Sequence, residues 1–429
     1  MQLSSIAYAA EYWLAPERFY ARTTKLGDRF LFNLPGAVDA FCVTNPADVK
    51  KVFTASNSIL QLTPAMDRFT PHHAVFGEHT LISMEGYEHL TNRRYASPPF
   101  HGKALRSYEQ AMVRLTEKAL ATWPMGEEVS FRDRSGPVAL DIVAEVIFGV
   151  TDERRALRVR EAATAWLDSI RSTRLAIQTA WATSRGGKWT GNYDRITDAR
   201  LVVEALVQEE IDERPHTGND RSDDVLGIML SVRDDRGDPI PDNALREQIA
   251  SLLIAGYETT SQALSWLGNE ITRQPELLER LTESAQGDDP AWIDATIHEV
   301  LRMHPPVPFN VRYVVEPFVL DGVVLEPGRI VMPFTYAVHR RPDLYPEPER
   351  FQPGRFIGSQ PGTYEWIPFG GGTRRCLGAA FALFEVRVIL RTILRHARFR
   401  VAATPVESAV RMNISLVPKH GGRVVLDRA

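Results

Sequence analysis

A cysteine in a glycine-rich segment is the residue of this chain best suited to bind a metal. The segment reads Phe369-Gly370-Gly371-Gly372-Thr373-Arg374-Arg375-Cys376-Leu377-Gly378, and a helical pattern follows it from Ala379 to His396. Glycines let the backbone turn tightly and approach a flat ligand, and the first amides of the helix favour a negative sulfur. Arg374 is placed to bind an anionic group. A buried thiol or a general anion site would explain either feature alone, so the predicted metal-binding thiolate at Cys376 rests on their combination.

Polar residues interrupt a long apolar helical pattern in the middle of the chain. The pattern begins at Asp242, which can cap it, and continues to Gln274 without a breaker, which corresponds to a helix of about 45 Å. Its stretch from Ile249 to Ala255 is apolar on nearly all sides, which indicates burial. The residues that follow are Gly256, Tyr257, Glu258, Thr259 and Thr260. Two interpretations remain open: the glycine admits a neighbouring helix and the acid pairs with an arginine, or the small residue admits a planar ligand and the acid and alcohol transfer protons.

Two further segments carry ionisable pairs at helical spacing. Glu299 and Arg302 lie three residues apart on a helix predicted to start at Asp289-Pro290. His89 and Arg93 lie one helical turn apart. Because most such pairs are solvated and contribute little, each is weak evidence by itself.

The overall pattern predicts a mainly α protein with small β-sheets, an α+β class. Short strands are expected between residues 26 and 45, helices from 46 to about 305, β-like runs from 309 to 332, and strands again around Val410 to Leu426. An irregular, proline-rich passage spans residues 342–361. No repeat, low-complexity tract or long linker divides the chain, so we expect residues 1–429 to form a single domain.

Composition and charge exclude several classes of protein. The hydrophobic share of 44% and the charged share of 24% are typical of a protein with a sizeable core. Fifty basic against fifty-four acidic residues argue against nonspecific nucleic-acid binding. Cys42 and Cys376 are too few for a disulfide framework. The N-terminus shows neither a signal peptide nor a membrane anchor, so we expect a cytoplasmic protein.

Motifs along the chain resemble those of the cytochrome P450 family. The cysteine segment matches each fixed position of the family's haem-binding signature, Phe-Gly-x-Gly-x-Arg-x-Cys-x-Gly. The stretch from Ala255 to Thr260 is similar to the family's oxygen-activation motif, and Glu299 with Arg302 resembles its Glu-x-x-Arg pair. The stretch from Gly86 to Phe100 resembles its haem-flanking helix. The motifs follow the family's order and cover nearly the whole chain.

The resemblance implies a long central helix over a haem and a role for each matching residue. Cys376 would be the axial ligand of haem b, and Glu258 and Thr259 the catalytic pair that delivers protons for O–O cleavage. Cofactor-binding roles would fall to Arg374, His89, Arg93, Arg312, Phe369, Gly370, Gly378 and Gly256. A structural cluster of Glu299, Arg302 and Arg355 would hold the cysteine loop. Arg355 is preferred to the near-copy Arg350 because of its distance from the cysteine, although Gly354 stands where the family often has glutamate.

The resemblance also implies a function and its partners. We expect a monomeric monooxygenase that inserts one oxygen atom from O2 into a hydrophobic small molecule such as a fatty acid, terpenoid or polyketide. Electrons would come from NAD(P)H through a ferredoxin and its reductase, or a flavodoxin, because we expect no flavin or iron–sulfur domain to be fused to this one. An acidic carrier would dock on a basic face made of Arg375, Arg94, Lys103 and Arg106, which could equally be solvated surface. Pocket residues are expected in 61–84, 166–189, 307–311 and 412–416.

Two other functions remain open from the sequence. A haem-thiolate peroxygenase or isomerase would keep the fold without activating O2, and the retention of Glu258 and Thr259 argues against it. A haem-based ligand-binding or gas-sensing protein would bind without turnover.

Overall fold

The described part of the chain is dominated by helices, with small sheets at its periphery. The computed structural model describes residues 2–3, 11–12, 14–34, 38–150, 152–171, 193–214, 224–234, 236–412 and 415–428. The first seven helices are α1 (Pro16–Thr23), α2 (Pro46–Thr54), α3 (Thr63–Met66), α4 (His72–Phe76), α5 (Gly86–Ala96), α6 (Gly102–Ser107) and α7 (Glu109–Leu120). The remaining ones are α8 (Phe131–Phe148), α9 (Glu153–Ile170), α10 (Asp194–Glu213), α11 (Val225–Ser231), α12 (Asp242–Ile271), α13 (Pro275–Gln286), α14 (Ala291–Met303), α15 (Thr335–Val338) and α16 (Ala379–His396). The predicted α+β class is confirmed.

The strands form small sheets that join distant parts of the chain. They are β1 (Gln2–Leu3), β2 (Arg29–Leu34), β3 (Val38–Val43), β4 (Leu60–Gln61), β5 (Glu128–Ser130), β6 (Arg312–Val314), β7 (Phe318–Leu320), β8 (Val323–Leu325), β9 (Ile330–Pro333), β10 (Ala397–Phe399), β11 (Ala409–Met412), β12 (Ser415–Pro418) and β13 (Arg423–Arg428). The largest sheet has the order β1-β2-β3-β9-β6-β4, and β10-β13-β5 form another. The strand β3 pairs in parallel with β9, with Cys42 opposite Met332.

The long helix α12 crosses the core and packs along α8. Where the two helices meet, a Cβ atom on Gly136 would lie 2.9 Å from the Ser261 hydroxyl, and one on Gly268 would lie 2.6 Å from the Phe131 ring. Glycine at these two positions therefore allows the close approach. Most of the second half of α12 is buried, with Trp266 among the largest fully buried side chains.

The ends of α12 differ from the prediction. Asp242 is the first helical residue and Pro241 occupies the capping position, with no side-chain capping bond. Asp242 is still favourable there because an acidic side chain in the first turn interacts well with the helix dipole. The helix ends at Ile271 and the chain turns before Pro275, the first residue of α13. Within the described ranges, no helix is both long enough and apolar enough to cross a membrane.

Candidate functional site

The cysteine loop is closed at its base and packed against α2. The amide of Cys376 donates to the Phe369 carbonyl at 2.9 Å. Gly370 and Gly372 have φ angles of 66° and 65°, which residues with a side chain rarely adopt. A Cβ atom on Gly372 would lie 1.9 Å from the Phe53 carbonyl oxygen. Glycine is thus required for the loop to reach α2, while at Gly378 a Cβ atom would meet nothing within 4 Å.

Opposing effects act on the Cys376 thiol. Burial raises its pKa, and the Gly378 amide together with the positive charges of Arg93 and Arg375 opposes that rise. The expected lowering of the pKa by the helix start is therefore outweighed by burial in the protein alone. The side chain is nevertheless accessible, so it lies in a cleft of the protein and can reach a ligand. Metal coordination would deprotonate such a thiol outright.

Basic side chains from separate parts of the chain converge beside the cysteine loop. Burial and the charges of Arg374 and Arg93 lower the pKa of His89 to about 4. Burial and the charge of Arg374 lower the pKa of Arg312 to about 10. Burial also lowers the pKa of Arg93, which is close enough to Cys376 for the two charges to interact. Among the described residues, neither Arg93 nor Arg312 has a carboxylate within 4 Å.

Glu85 is the acid of this cluster, and sequence reasoning missed it. Its side chain accepts from the amides of Leu62 (2.8 Å) and Thr63 (2.6 Å) and from Arg374 (2.5 Å). Arg374 also donates to the carbonyls of Leu81 (2.7 Å) and Met84. The Arg374 guanidinium thus already has hydrogen-bond partners within the protein. The position of this carboxylate directly before α5 was the only hint of its role in the sequence.

The middle of α12 presents an accessible face. Ala255 is exposed although it lies within a 30-residue helix, and the hydroxyl of Thr259 one turn later donates to its carbonyl at 2.8 Å. The side-chain position of Gly256 instead faces α8, where a Cβ atom would lie 3.4 Å from Val143. A side chain at this distance would make an ordinary contact with α8, and the cofactor-binding role of Gly256 stays a prediction.

Glu258 is paired with an arginine at the end of α9. Arg171 donates to Glu258 Oε1 through Nη2 at 3.1 Å and Nε at 3.3 Å. The side chain of Glu258 is 17% exposed and that of Arg171 is 28% exposed. The negative charge of the carboxylate is therefore compensated by Arg171, while the carboxylate stays in contact with solvent. Nothing in the local sequence pattern identified Arg171 as its partner.

A second acid, Glu385 on α16, lies next to the same part of α12. Thr260 donates to its Oε2 at 3.2 Å. Within the described structure, Oε1 of Glu385 is buried and has no partner. Burial raises the pKa of this carboxyl well above its usual value, which favours the neutral form. A glutamate in the apolar pattern from Ala379 to His396 was a signal that sequence reasoning did not use.

Glu299 is the centre of a buried cluster that joins α14 to the irregular passage. It accepts from Arg302 at 2.6 and 2.9 Å, from the Gln352 amide at 2.7 Å and from Arg355 at 3.1 Å. Both Glu299 and Arg302 have fully buried side chains. Arg350 instead pairs with Glu347 at the surface, 3.5 Å apart. The geometry thus groups Arg355, and not the near-copy Arg350, with the Glu-x-x-Arg pair.

His339 connects this cluster to the cysteine segment and was also missed. Its Nδ1 lies 3.1 Å from the Arg302 carbonyl, and its Nε2 accepts from the Ile367 amide at 2.8 Å. These contacts fix the tautomer that carries hydrogen on Nδ1. Burial, together with the charge of Arg302, lowers the pKa of His339 well below its usual value. A lone histidine in sequence gives no sign of such a role.

The other predicted positions are only partly described. Arg375, Arg94, Lys103 and Arg106 are all exposed. Of the expected pocket segments, residues 172–189 and 413–414 lie outside the described residues. Segment 61–84 reaches the cysteine loop through the contacts of Arg374, and Val311 and Trp166 are buried.

Comparison with known proteins agrees with the motifs. A family model described as Cytochrome P450 matches residues 10–424. "Putative cytochrome P450 137" of Mycobacterium tuberculosis is 32% identical over 422 residues, covering 97% of this chain and 87% of that protein. "Putative cytochrome P450 138" of Mycobacterium bovis is 31% identical over 420 residues, covering 94% and 90%.

A solved structure supports the same fold. Cyanobacterial CYP120A1 with bound retinoic acid superposes with a TM-score of 0.79 at 23% identity, covering 98% of this chain and 96% of that one. The predicted cytochrome P450 fold is thereby confirmed. Membership of the family implies haem held by a thiolate, a small-molecule substrate and redox partners. The chain therefore belongs to the cytochrome P450 family, and it is a haem monooxygenase.

Proposed function

We propose that this protein inserts one oxygen atom from O2 into a hydrophobic small molecule, by hydroxylation or epoxidation. The Cys376 thiolate would hold the iron of haem b, and Phe369, Gly370 and Gly378 would help to bind the cofactor. The accessible sulfur of Cys376 and the close packing of its loop against α2 support this assignment. Bound haem supplies the activation of O2, which donation from a thiolate favours.

The charge balance beside Cys376 carries the proposal. Glu85 pairs with Arg374 and acts on Arg312, whereas Arg93 lies near Arg374, Arg375 and Cys376. His89 is neutral at pH 7 because its pKa is about 4. Among the described residues of this cluster, the arginines outnumber the carboxylates, which suits the anionic propionates of haem b. Burying cations without partners is costly, so the cluster is best explained as a site for an anionic ligand.

Glu258 and Thr259 are proposed to deliver protons at the accessible face of α12. The Thr259 hydroxyl is anchored by its bond to the Ala255 carbonyl and can still accept a second hydrogen bond. Glu258, next to it, can take a proton from solvent because it is partly exposed. Its pairing with Arg171 holds the carboxylate in position. Thr259 is then the group that accepts a hydrogen bond from a proton donor in the site, and Glu258 the group that resupplies protons.

Electrons are proposed to come from NAD(P)H through a ferredoxin and its reductase, or through a flavodoxin. The exposed basic residues Arg94, Lys103, Arg106 and Arg375 support docking of an acidic carrier. We further propose that residues 1–429 act as one haem-binding domain. The pairing of β13 with β5, and of β9 with β3, supports this because it joins distant parts of the chain.

The carbon monoxide spectrum of the reduced protein tests the haem assignment. We expect the wild type and the Cys42→Ala control to show the red-shifted Soret band of a thiolate-bound haem, and Cys376→Ser to lose it. Cys42 is buried between strands, away from the cysteine loop. A wild-type protein without this band, or a Cys376→Ser variant that keeps it, would refute the assignment. Screening hydrophobic compounds for a low-spin to high-spin absorbance shift would then identify the substrate class.

A further inference from the structure

A second group of ligand-type side chains lies in the segment that joins α3 to α4. Asp67 follows the end of α3, and His72 and His73 open α4. Each residue offers one ligand atom, and these atoms all lie within 4.8 Å of one another. The two imidazole rings have centroids 3.8 Å apart. None of these residues belongs to the haem-binding motifs.

The state of His72 is the observation that calls for a ligand. Its side chain is completely buried, and neither ring nitrogen has a hydrogen-bond partner among the described residues. Leaving a buried polar group unpaired costs about 1–3 kcal/mol. Most buried polar groups in proteins are paired for this reason. A fully buried imidazole with no hydrogen bond at either nitrogen therefore requires an explanation.

The contact between His72 and Asp67 is not an ordinary hydrogen bond. His72 Nδ1 lies 2.9 Å from Asp67 Oδ1, yet the N–H direction is not aligned with the oxygen. Two ligands of one ion, each about 2.0–2.2 Å from it, lie roughly 3 Å apart without pointing at each other. The short, misaligned contact is what two atoms directed at a common ion would show.

The ligand types select the metal. Two imidazoles and one carboxylate suit Zn²⁺, whereas Mg²⁺ and Ca²⁺ prefer sets made only of oxygen. Asp67 is 52% exposed and His73 is exposed, so an ion can enter from solvent while His72 binds it from inside. Three protein ligands leave one tetrahedral position for water.

We propose that Asp67, His72 and His73 form a Zn²⁺ site separate from the haem. The ion would tie the end of α3 to the start of α4. The carbonyl of Ala74 in α4 accepts from Arg200 of α10 at 3.2 Å, and the amide of His79 donates to Glu247 of α12 at 2.7 Å. Zinc would thus fix a segment that already contacts the helices on this side of the protein. The proposal does not depend on the proposed function.

Zinc binding by the haem-loaded protein tests the proposal. After removal of metals with a chelator, equilibrium dialysis against Zn²⁺ and elemental analysis should give one zinc per chain for the wild type. Asp67→Asn and His73→Ala should weaken binding at least about tenfold, because loss of a residue that merely supports a ligand already costs about 10–100-fold. Both positions are exposed, so these variants should fold, and an unchanged carbon monoxide spectrum checks this. His101→Ala, at another exposed histidine, is the control and should bind like the wild type.

X-ray absorption at the zinc edge gives a second test that needs no variant. Two imidazoles with oxygen ligands are expected for the zinc-loaded wild type. Sulfur ligands, or a single imidazole, would overturn the proposal. Absence of stoichiometric zinc in the wild type, or equal binding by Asp67→Asn, His73→Ala and the wild type, would overturn it as well.

Discussion

The protonation states of individual residues in the site depend on the balance between burial and nearby charges. Burial raises the pKa of Cys376 and lowers that of Arg312 and His89. In each case burial favours the uncharged form, and only a bound partner of the right charge reverses this. Haem binding would therefore stabilise the charged forms of Cys376 and Arg312, which burial disfavours.

Thr259→Ala tests the proton-delivery role at this scale. We expect the variant to bind haem normally and to consume reductant largely without forming product, because the anchored hydroxyl at the accessible face of α12 is lost. Thr259→Ser keeps a hydroxyl and should restore much of the coupling. Comparing product formed with NAD(P)H consumed measures the effect, and unchanged coupling in Thr259→Ala would argue against the role.

Arg93→Gln and Arg312→Gln test the charge balance beside the cysteine. A hydrogen bond to a charged group contributes about 1.5–3 kcal/mol, so each variant should release haem about 10–100-fold faster. Transfer of haem to an excess of apomyoglobin measures the rate. Arg398→Ala, at an exposed position of β10, should release haem at the wild-type rate. Wild-type release by both glutamine variants would mean that the propionates lie elsewhere.

At the scale of elements, the cysteine loop is held by segments that are distant in sequence. Glu299 on α14 binds the irregular passage near Arg355, and His339, just after α15, binds the segment that leads into the loop at Ile367. The loop itself has few regular hydrogen bonds. Its position therefore depends on α2 behind its glycines and on these buried polar contacts.

Glu299→Ala should be strongly destabilising. It leaves the guanidinium of Arg302 buried without its carboxylate, and breaking a buried pair in this way costs about 3–5 kcal/mol. Thermal unfolding and the haem content of the purified protein measure the effect. Glu279→Ala, at an exposed position of α13, should change stability by less than about 0.5 kcal/mol. Equal stability of the two variants would contradict a stabilising role of Glu299.

His339 should make the loop sensitive to acid. Because the pKa of His339 is lowered in the folded protein, the unfolded chain binds more protons as the pH falls. The stability that neutral His339 contributes is thus present above about pH 6.5 and is lost progressively below it. Conversion of the red-shifted carbon monoxide band to its blue-shifted form should accelerate below this pH. His339→Gln, which cannot titrate, should flatten that dependence, while the exposed His420→Gln should follow the wild type; parallel profiles for all three proteins would exclude His339.

At the scale of the whole molecule, a net charge of −4 is compatible with the local basic surface proposed above. Arg94, Lys103, Arg106 and Arg375 are all exposed. Overall charge therefore says little about where an acidic carrier would dock. The distribution of charge decides it.

Lys103→Glu tests this surface. Reversing an exposed charge changes mainly the association rate and its salt dependence. We expect electron transfer from an acidic ferredoxin to slow severalfold at low ionic strength, and the difference to vanish near 1 M salt, where charges are screened beyond about 3 Å. Stopped-flow reduction measures the rate. Lys25→Glu, at an exposed position after α1, should have little effect, and an equal slowing by both variants would indicate a general charge effect.

The sequence by itself determined the features that depend on local spacing. The motif around Cys376, the helix from Ala379 to His396 and the α+β class follow from residue types and periodicity, and they agree with the structure. Arg355 could be chosen over Arg350 because distance along the chain to the cysteine is a local property.

Only the tertiary structure decided which distant side chains meet. Glu85 beside Arg374, Arg171 beside Glu258, and Glu385 beside Thr260 are separated by tens to hundreds of residues. The tertiary structure also decided that the side-chain position of Gly256 faces α8, because this depends on how α8 packs against α12. Burial and charge compensation arise only when the elements pack together. The spacing of residues within one segment therefore cannot identify a partner from another segment.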